Sequence, residues 1–245
     1  MLPLIGLDNL LAQGVLSTAA NPATVQNLID GLTYDYWMPN SGSSHSVTVS
    51  LGEARQANYL AIAGHNLGDV GGLIGAGFAN GGGYTGALFQ FPVTSNAPLL
   101  VPFSGIHSGS EWRLYVDAPA PYRIAVAHIG LMTELQRGMP LTWTPPLRSN
   151  EAVERANSFT VGGQVLGTNI VRQNMTTTVP QNNATRTWVD AVWEPMVAQM
   201  QLAPFFFRWS TDHAECVYGS LGSSNSSYVS ADLLNVSLTM EGLVR

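Results

Sequence analysis

Side chains able to do chemistry are few and scattered in this sequence. Its five histidines, His45, His65, His107, His128 and His213, show neither the HxH nor the HExxH spacing that brings two imidazoles onto one metal ion. Cys216 is the only cysteine, which excludes an internal disulfide and any cysteine-rich zinc site. Ser43-Ser44-His45 and His107-Ser108 hold the atoms of a nucleophile and a base. Both lie in Ser/Gly-rich turns, and no GxSxG elbow is present to present a serine. A phosphate-cradling P-loop needs a lysine after its glycines, and the chain contains no lysine. Gly75-Ala76-Gly77 lacks the third glycine of a dinucleotide loop, Asn80 standing in its place. Glu151 and Glu154 sit in a polar connector and make no glycosidase pair. The residues therefore point to no enzyme, no cofactor and no metal.

Recognition chemistry is better represented. Tyr36 and Trp37 close the run Tyr34-Asp35-Tyr36-Trp37 and offer flat apolar faces to a sugar ring. His65-Asn66 leaves an apolar strand into a turn, where it could contact a sugar or a partner, and Trp112-Arg113 sets an aromatic beside a cation. Each candidate has a structural alternative. The aromatics would wedge the end of a β-sandwich, Asn66 would adopt a left-handed turn, and His65 would hydrogen-bond a neighbouring loop. His128, inside an apolar strand, reads as a hydrogen-bonded core or interface residue.

The elements that must position these residues are short and mostly β. Val47, Val49 and Leu51 alternate with Thr48 and Ser50, the period of a half-buried strand. Gly52 is expected to end that run, with Glu53–Asn58 a polar connection. Tyr59–Ala63 is unbroken apolar sequence, as expected of a strand packed on both faces. Further strands are expected at Leu73–Phe78, Leu88–Phe91, Leu99–Phe103, Trp112–Val116 and Tyr122–Leu131, separated by Gly, Pro and Ser turns. Pro22–Asp30 allows a helical turn or two that stops at Gly31. After the connector, Ser158–Gly167 reads as a hairpin turning at Gly162-Gly163. Trp188, Val189, Val192, Trp193, Met196, Val197 and Met200 recur at helical spacing. Pro195 inside that pattern predicts a kink or restart. Asn235–Gly242 closes the chain with clean alternation.

Charged residues make up 11% of the 245 residues, under half the roughly 25% usual in soluble domains. A surface covered by Ser, Thr, Asn and Gly suits a subunit whose faces are taken up by neighbours. The net charge of −6 comes with no basic cluster, so there is no electrostatic footprint for nucleic acid or an anionic membrane. No apolar run is long enough to insert in a bilayer. The N-terminus reads as mature sequence without a signal peptide.

The order of aromatic run, loop, strand ending in Leu-Gly and strand ending in His-Asn-Leu resembles the discoidin-like (galactose-binding-like) jelly rolls. Within that group it is closest to versions in tailed-bacteriophage virion proteins. The second half, with its hairpin, tryptophan-bearing helix, aromatic strand and final alternating strand, is similar to the tail-tube-type β domains of phage tails and baseplates. The expected fold is mainly β with two β domains. Residues 1–145 form a discoidin-like jelly-roll sandwich, 146–155 a connector, and 156–245 a smaller tail-tube-like domain carrying one helix. The resemblance implies a virion structural protein, a tail or tail-tip subunit that is made in the host cytoplasm and assembles into a ring or tube. Its implied partners are copies of itself, neighbouring tail proteins and a host surface glycan. The alternative is a discoidin-like carbohydrate-binding module that uses Tyr36, Trp37, His65, Asn66, Trp112 and Arg113. In the run Phe205–Trp209, strand alternation puts Phe205, Phe207 and Trp209 on one face and Phe206 and Arg208 on the other. Phe206 and Arg208 are thus expected to contact a neighbouring subunit.

Overall fold

The computed structural model describes residues 2–39, 41–80, 89–146, 152–159, 161–210, 212, 214 and 216–243. The first half contributes β1 (Leu4–Gly6), β2 (Val15–Ser17), β3 (His45–His65), β4 (Leu73–Ala79), β5 (Phe91–Pro92), β6 (Leu99–Asp117), β7 (Ile124–Gly130) and β8 (Met132–Glu134). The second half adds β9 (Ala152–Phe159), β10 (Val165–Thr185), β11 (Phe205–Arg208), β12 (Val217–Tyr228) and β13 (Leu233–Leu243). The chain is mainly β, as its alternation predicts.

Two long strands organise the first half. β3 and β6 pair antiparallel along two main stretches, His45–Ser50 against Glu111–Val116 and Tyr59–Ile62 against Leu99–Pro102, with a short pairing of Arg55–Ala57 against His107–Gly109 and register shifts between them. β2 and β4 join only the first stretch, and β7 joins β3 only along the second. Each long strand therefore crosses from one layer of a sandwich to the other through an irregular corner. This corrects the expectation that Gly52 ends a strand. Glu53–Gln56 are exposed because they form the corner, yet the strand runs on through them. The same holds for Leu99–Phe103 and Trp112–Val116, which are the two ends of β6. Val47, Val49, Leu60, Ile62, Val101, Trp112, Leu114 and Ile124 fill the space between the layers.

The second sheet runs β8-β1-β11-β12-β13-β10-β9. By pairing, β1 and β8 belong to it, although both come from residues 1–145. One of its faces packs on the sandwich. Tyr59, Ala61, Ala63, Leu100 and Val126 meet Phe206, Cys216 and Tyr218 there, so Tyr59–Ala63 is indeed buried from both sides. The other face carries Phe205, Phe207, Val217, Val236, Leu238 and Met240 under the helix. Arg186–Trp188, Val189–Trp193 and Glu194–Met200 run on without a break as that helix. Pro195 offers no N–H to the carbonyl one turn back and its ring crowds it. Val189–Trp193, just before it, opens into a π turn. The expected Gly162-Gly163 hairpin is present, with Phe159 paired to Val165 and Gly163 at φ +80°.

Phe206 and Arg208 do share the face opposite Phe205 and Phe207, but what covers that face is the same chain. Phe206 is fully buried, its ring centroid 5.0 Å from His128 and 4.6 Å from Tyr218. Arg208 is buried too, donating from Nη1 to Leu100 O at 2.9 Å and from Nε to Ser210 O at 2.7 Å. The expectation that they touch a neighbouring subunit is corrected, because the sandwich reaches them first.

Candidate functional site

Gly64, at φ +63°, bends the end of β3 so that His65 turns inward and Asn66 outward. His65 is buried and its Nε2 lies 3.0 Å from Ala97 O. Burial holds its pKa down to about 4, against the opposing pull of that carbonyl. Asn66 is not left-handed, with φ −119° and ψ 23°. Its Oδ1 accepts the Arg123 backbone N–H at 2.8 Å, tying the end of β3 to the entrance of β7.

Across that entrance Trp37 and Ile124 exchange both backbone hydrogen bonds, at 2.9 and 3.1 Å. Strand alternation then sends Trp37 and Ile124 inward while Tyr36, Met38 and Arg123 stay at the surface. The Arg123 guanidinium stacks over the Tyr36 ring, 4.6 Å from its centroid. No acidic side chain pairs with Arg123 among the described residues. Met38, Asn66, Pro121, Tyr122 and Arg123 line an open depression of about 200 Å³. Beneath it the Tyr122 hydroxyl lies 3.2 Å from His45 Nδ1, and Ser43 Oγ lies 3.2 Å from His45 Nε2. Burial raises the Tyr122 phenol well above its ordinary value, with Asp117 adding to the shift. The third member of this Ser–His arrangement is thus a neutral phenol, where a hydrolytic triad uses a carboxylate to orient the imidazole.

Of the six candidate ligand residues, Tyr36 and Asn66 come together here. Trp37 and Trp112 do not reach the surface. Both are fully buried, Trp37 donating to Ala20 O at 2.8 Å and Trp112 to Arg55 O at 3.3 Å. They wedge the sandwich, as the structural alternative holds, and His65 is likewise withdrawn. Arg113 points to the face opposite Trp112, where its Nε donates to Thr48 Oγ1 at 3.2 Å and its guanidinium lies 5.5 Å from the Tyr115 centroid. Arg123 and Met38 were missed. The phase of Ile124 in its apolar strand already places Arg123 outward; only the pairing of Trp37 with Ile124 puts it over Tyr36.

A larger groove of about 470 Å³ lies on the second sheet beside Pro140, Trp143, Pro145 and Met175. There the Trp143 Nε1 is already committed to Thr178 O at 2.6 Å, and its ring packs edge-on against Phe207. Among the described residues no three His, Cys, Asp or Glu side chains converge to hold a metal; His213 lies outside them. No helix among them is long and apolar enough to cross a membrane.

No protein-family model matches the sequence, and no curated protein matches it. Among solved structures, a family 32 carbohydrate-binding module of Clostridium perfringens NanJ, in complex with galactose, superposes with a TM-score of 0.43 and 17% identity over 53% of this chain and 99% of that one. The C. perfringens module CpGH89CBM32-6 gives 0.42 and 17% over 50% of this chain and 98% of that one. A GH29 fucosidase of Ruminococcus gnavus gives 0.43 and 17% over 51% of this chain but only 27% of the enzyme. None of the three is a virion protein, and likeness of this degree identifies no family.

Proposed function

We propose that this chain is a non-catalytic carbohydrate-binding protein that holds a single sugar unit at the Tyr36–Arg123 end of its sandwich. The observation that carries this reading is Arg123, its guanidinium over the Tyr36 ring beside a depression it shares with Met38, Asn66 and Pro121. A planar guanidinium can donate two parallel hydrogen bonds to neighbouring hydroxyls or to a carboxylate. Asn66, whose Oδ1 accepts from the backbone, lines the depression as well, while Met38 and Pro121 supply an apolar face. The volume falls below the roughly 300–1,000 Å³ of drug-sized pockets, which suits one ring and not an oligosaccharide cleft. The test is a glycan array with the purified chain, followed by calorimetry on any hit. Arg123→Ala should abolish binding while leaving the thermal melt unchanged. Binding that survives Arg123→Ala, or no binding to any glycan, would remove this reading.

A second reading, an assembling subunit of a tailed-phage virion, is favoured by a different observation. The second sheet carries two stretches of strand with an open edge and both faces in solvent, on a chain of only 11% charged residues. Such edges invite pairing with another chain.

A further inference from the structure

β11 pairs with β12 only along Val217–Gly219. Among the described residues, Ser220–Tyr228 beyond that point runs beside β13 alone, leaving nine residues of backbone donors and acceptors without a described strand on one side. Gly222–Tyr228 are all exposed, so both faces of this stretch stand in solvent. The edge sequence SLGSSNSSY contains no charge and no proline, two of the devices by which exposed edges are kept from pairing, and its one irregularity is a register shift between Leu221 and Ser223.

At the far end of the same sheet, among the described residues, β9 pairs with β10 alone. β10 leaves β13 at Met175, opposite Gly242, and continues as a two-stranded ribbon with β9. Ala156, Asn157 and Ser158 are consecutive and all exposed, so no layer covers either face of the ribbon there. A two-stranded ribbon without a covering layer is marginal in water. Its eight-residue strand spans about 27 Å at 3.4 Å per residue, close to the length of the open β12 edge.

We infer that β9 of one copy adds to the open Ser220–Tyr228 edge of a second copy, extending its sheet. The occupant is another copy because one chain carries both halves of the contact, matched in length and set on opposite flanks of one sheet. Strand addition of this kind draws its affinity from main-chain hydrogen bonds and needs little of the side chains, which a Ser/Asn/Gly edge supplies. The two surfaces differ, so the contact is heterologous and propagates into a ring or an open filament. It supplies a contact for the assembling-subunit reading and is independent of the sugar site.

The experiment blocks each edge separately with paired lysines at exposed positions. Ser224→Lys/Ser226→Lys closes the β12 edge; Ala156→Lys/Ser158→Lys closes β9. Light scattering after size exclusion should show the unmodified chain in assemblies that grow with concentration, and each variant alone as a monomer with an unchanged circular-dichroism melt. Mixed one to one, the variants should form a heterodimer and nothing larger, because each retains one working edge. A monomeric unmodified chain overturns both this inference and the assembling-subunit reading. If either variant alone still assembles, the edge pairing is wrong while that reading stands.

Discussion

Phe206, His128 and Tyr218 meet where the sandwich lies on the second sheet, and their packing decides what each residue does. Alternation along Phe205–Trp209 correctly divides the two faces, since it is a local property of the backbone. Which surface covers the Phe206 face depends on how the two halves dock, and no local pattern carries that. Phe206→Ala should therefore destabilise the fold by about 3–5 kcal/mol, as Phe207→Ala should, because both rings are fully enclosed. Urea unfolding checks this. A loss within about 0.5 kcal/mol, the size of an ordinary surface change, would return Phe206 to the surface. His128 adds a pH dependence. Desolvation lowers its pKa to about 3, and burial lowers that of His65 to about 4. Both are neutral in the fold and take up protons near pH 6.5 once unfolded. Their stabilisation is complete above pH 6.5 and falls as pH drops, levelling off near pH 4 for His65 and pH 3 for His128. Each should account for about 2 kcal/mol of lost stability between pH 7 and pH 5. His128→Phe should remove about half of that combined loss, and an unchanged loss in the variant would show that His128 titrates normally in the fold.

At the scale of elements, periodicity found the ends of both long strands and missed their middles. Val47–Ser50 and Tyr59–Ala63 alternate or run apolar because they are held between layers. The corner between them is polar, so it reads as a connection although the backbone stays extended. The helix and the Gly162-Gly163 hairpin were legible because their signals are local. The arrangement proposed to hold a sugar was half legible. Tyr36 and Asn66 stand out by type, while Arg123 joins them only through the Trp37–Ile124 pairing. Gly64 sets this arrangement, and a Cβ there would lie 2.7 Å from the Ala125 Cβ at a left-handed φ of +63°. Gly64→Ala should lower stability by at least about 1–2 kcal/mol from backbone strain alone, and weaken the proposed sugar binding by shifting Asn66. Gly52→Ala, with nothing within 4 Å of the new methyl, is the control and should leave the thermal melt where it is. Equal shifts for the two variants would discount the left-handed requirement at Gly64.

For the whole molecule, the chain passes from the first sheet to the second between β7 and β8, before the expected connector at 146–155. Residues 152–155 of that connector belong to β9, and the chain crosses between the halves repeatedly in space. β1 and β8 flank one another in the second sheet, β1 pairing with β11 from Leu4↔Arg208 to Gly6↔Phe206. Backbone hydrogen bonds join Leu100 N–H to Ala214 O at 2.8 Å and Cys216 N–H to Pro98 O at 2.9 Å. The Tyr218 hydroxyl donates to Gly31 O at 3.1 Å. Between these bonds lies the apolar layer of Tyr59, Ala61, Leu100, Val126, Phe206 and Tyr218. Removing residues 1–146 would strip two strands from the second sheet and bare that layer, with Phe206 and the Arg208 guanidinium brought into water. Inter-domain surfaces that merely touch are more polar than this and let their domains move. Two chains, 1–146 and 147–245, produced together from separate messages should therefore co-purify in a one-to-one complex through a tag on either. Residues 147–245 produced alone should melt well below the intact protein or aggregate, since an exposed apolar face of this kind drives association. If 147–245 alone gives a monomer with the melt of the intact chain, the shared layer contributes nothing and the halves are independent.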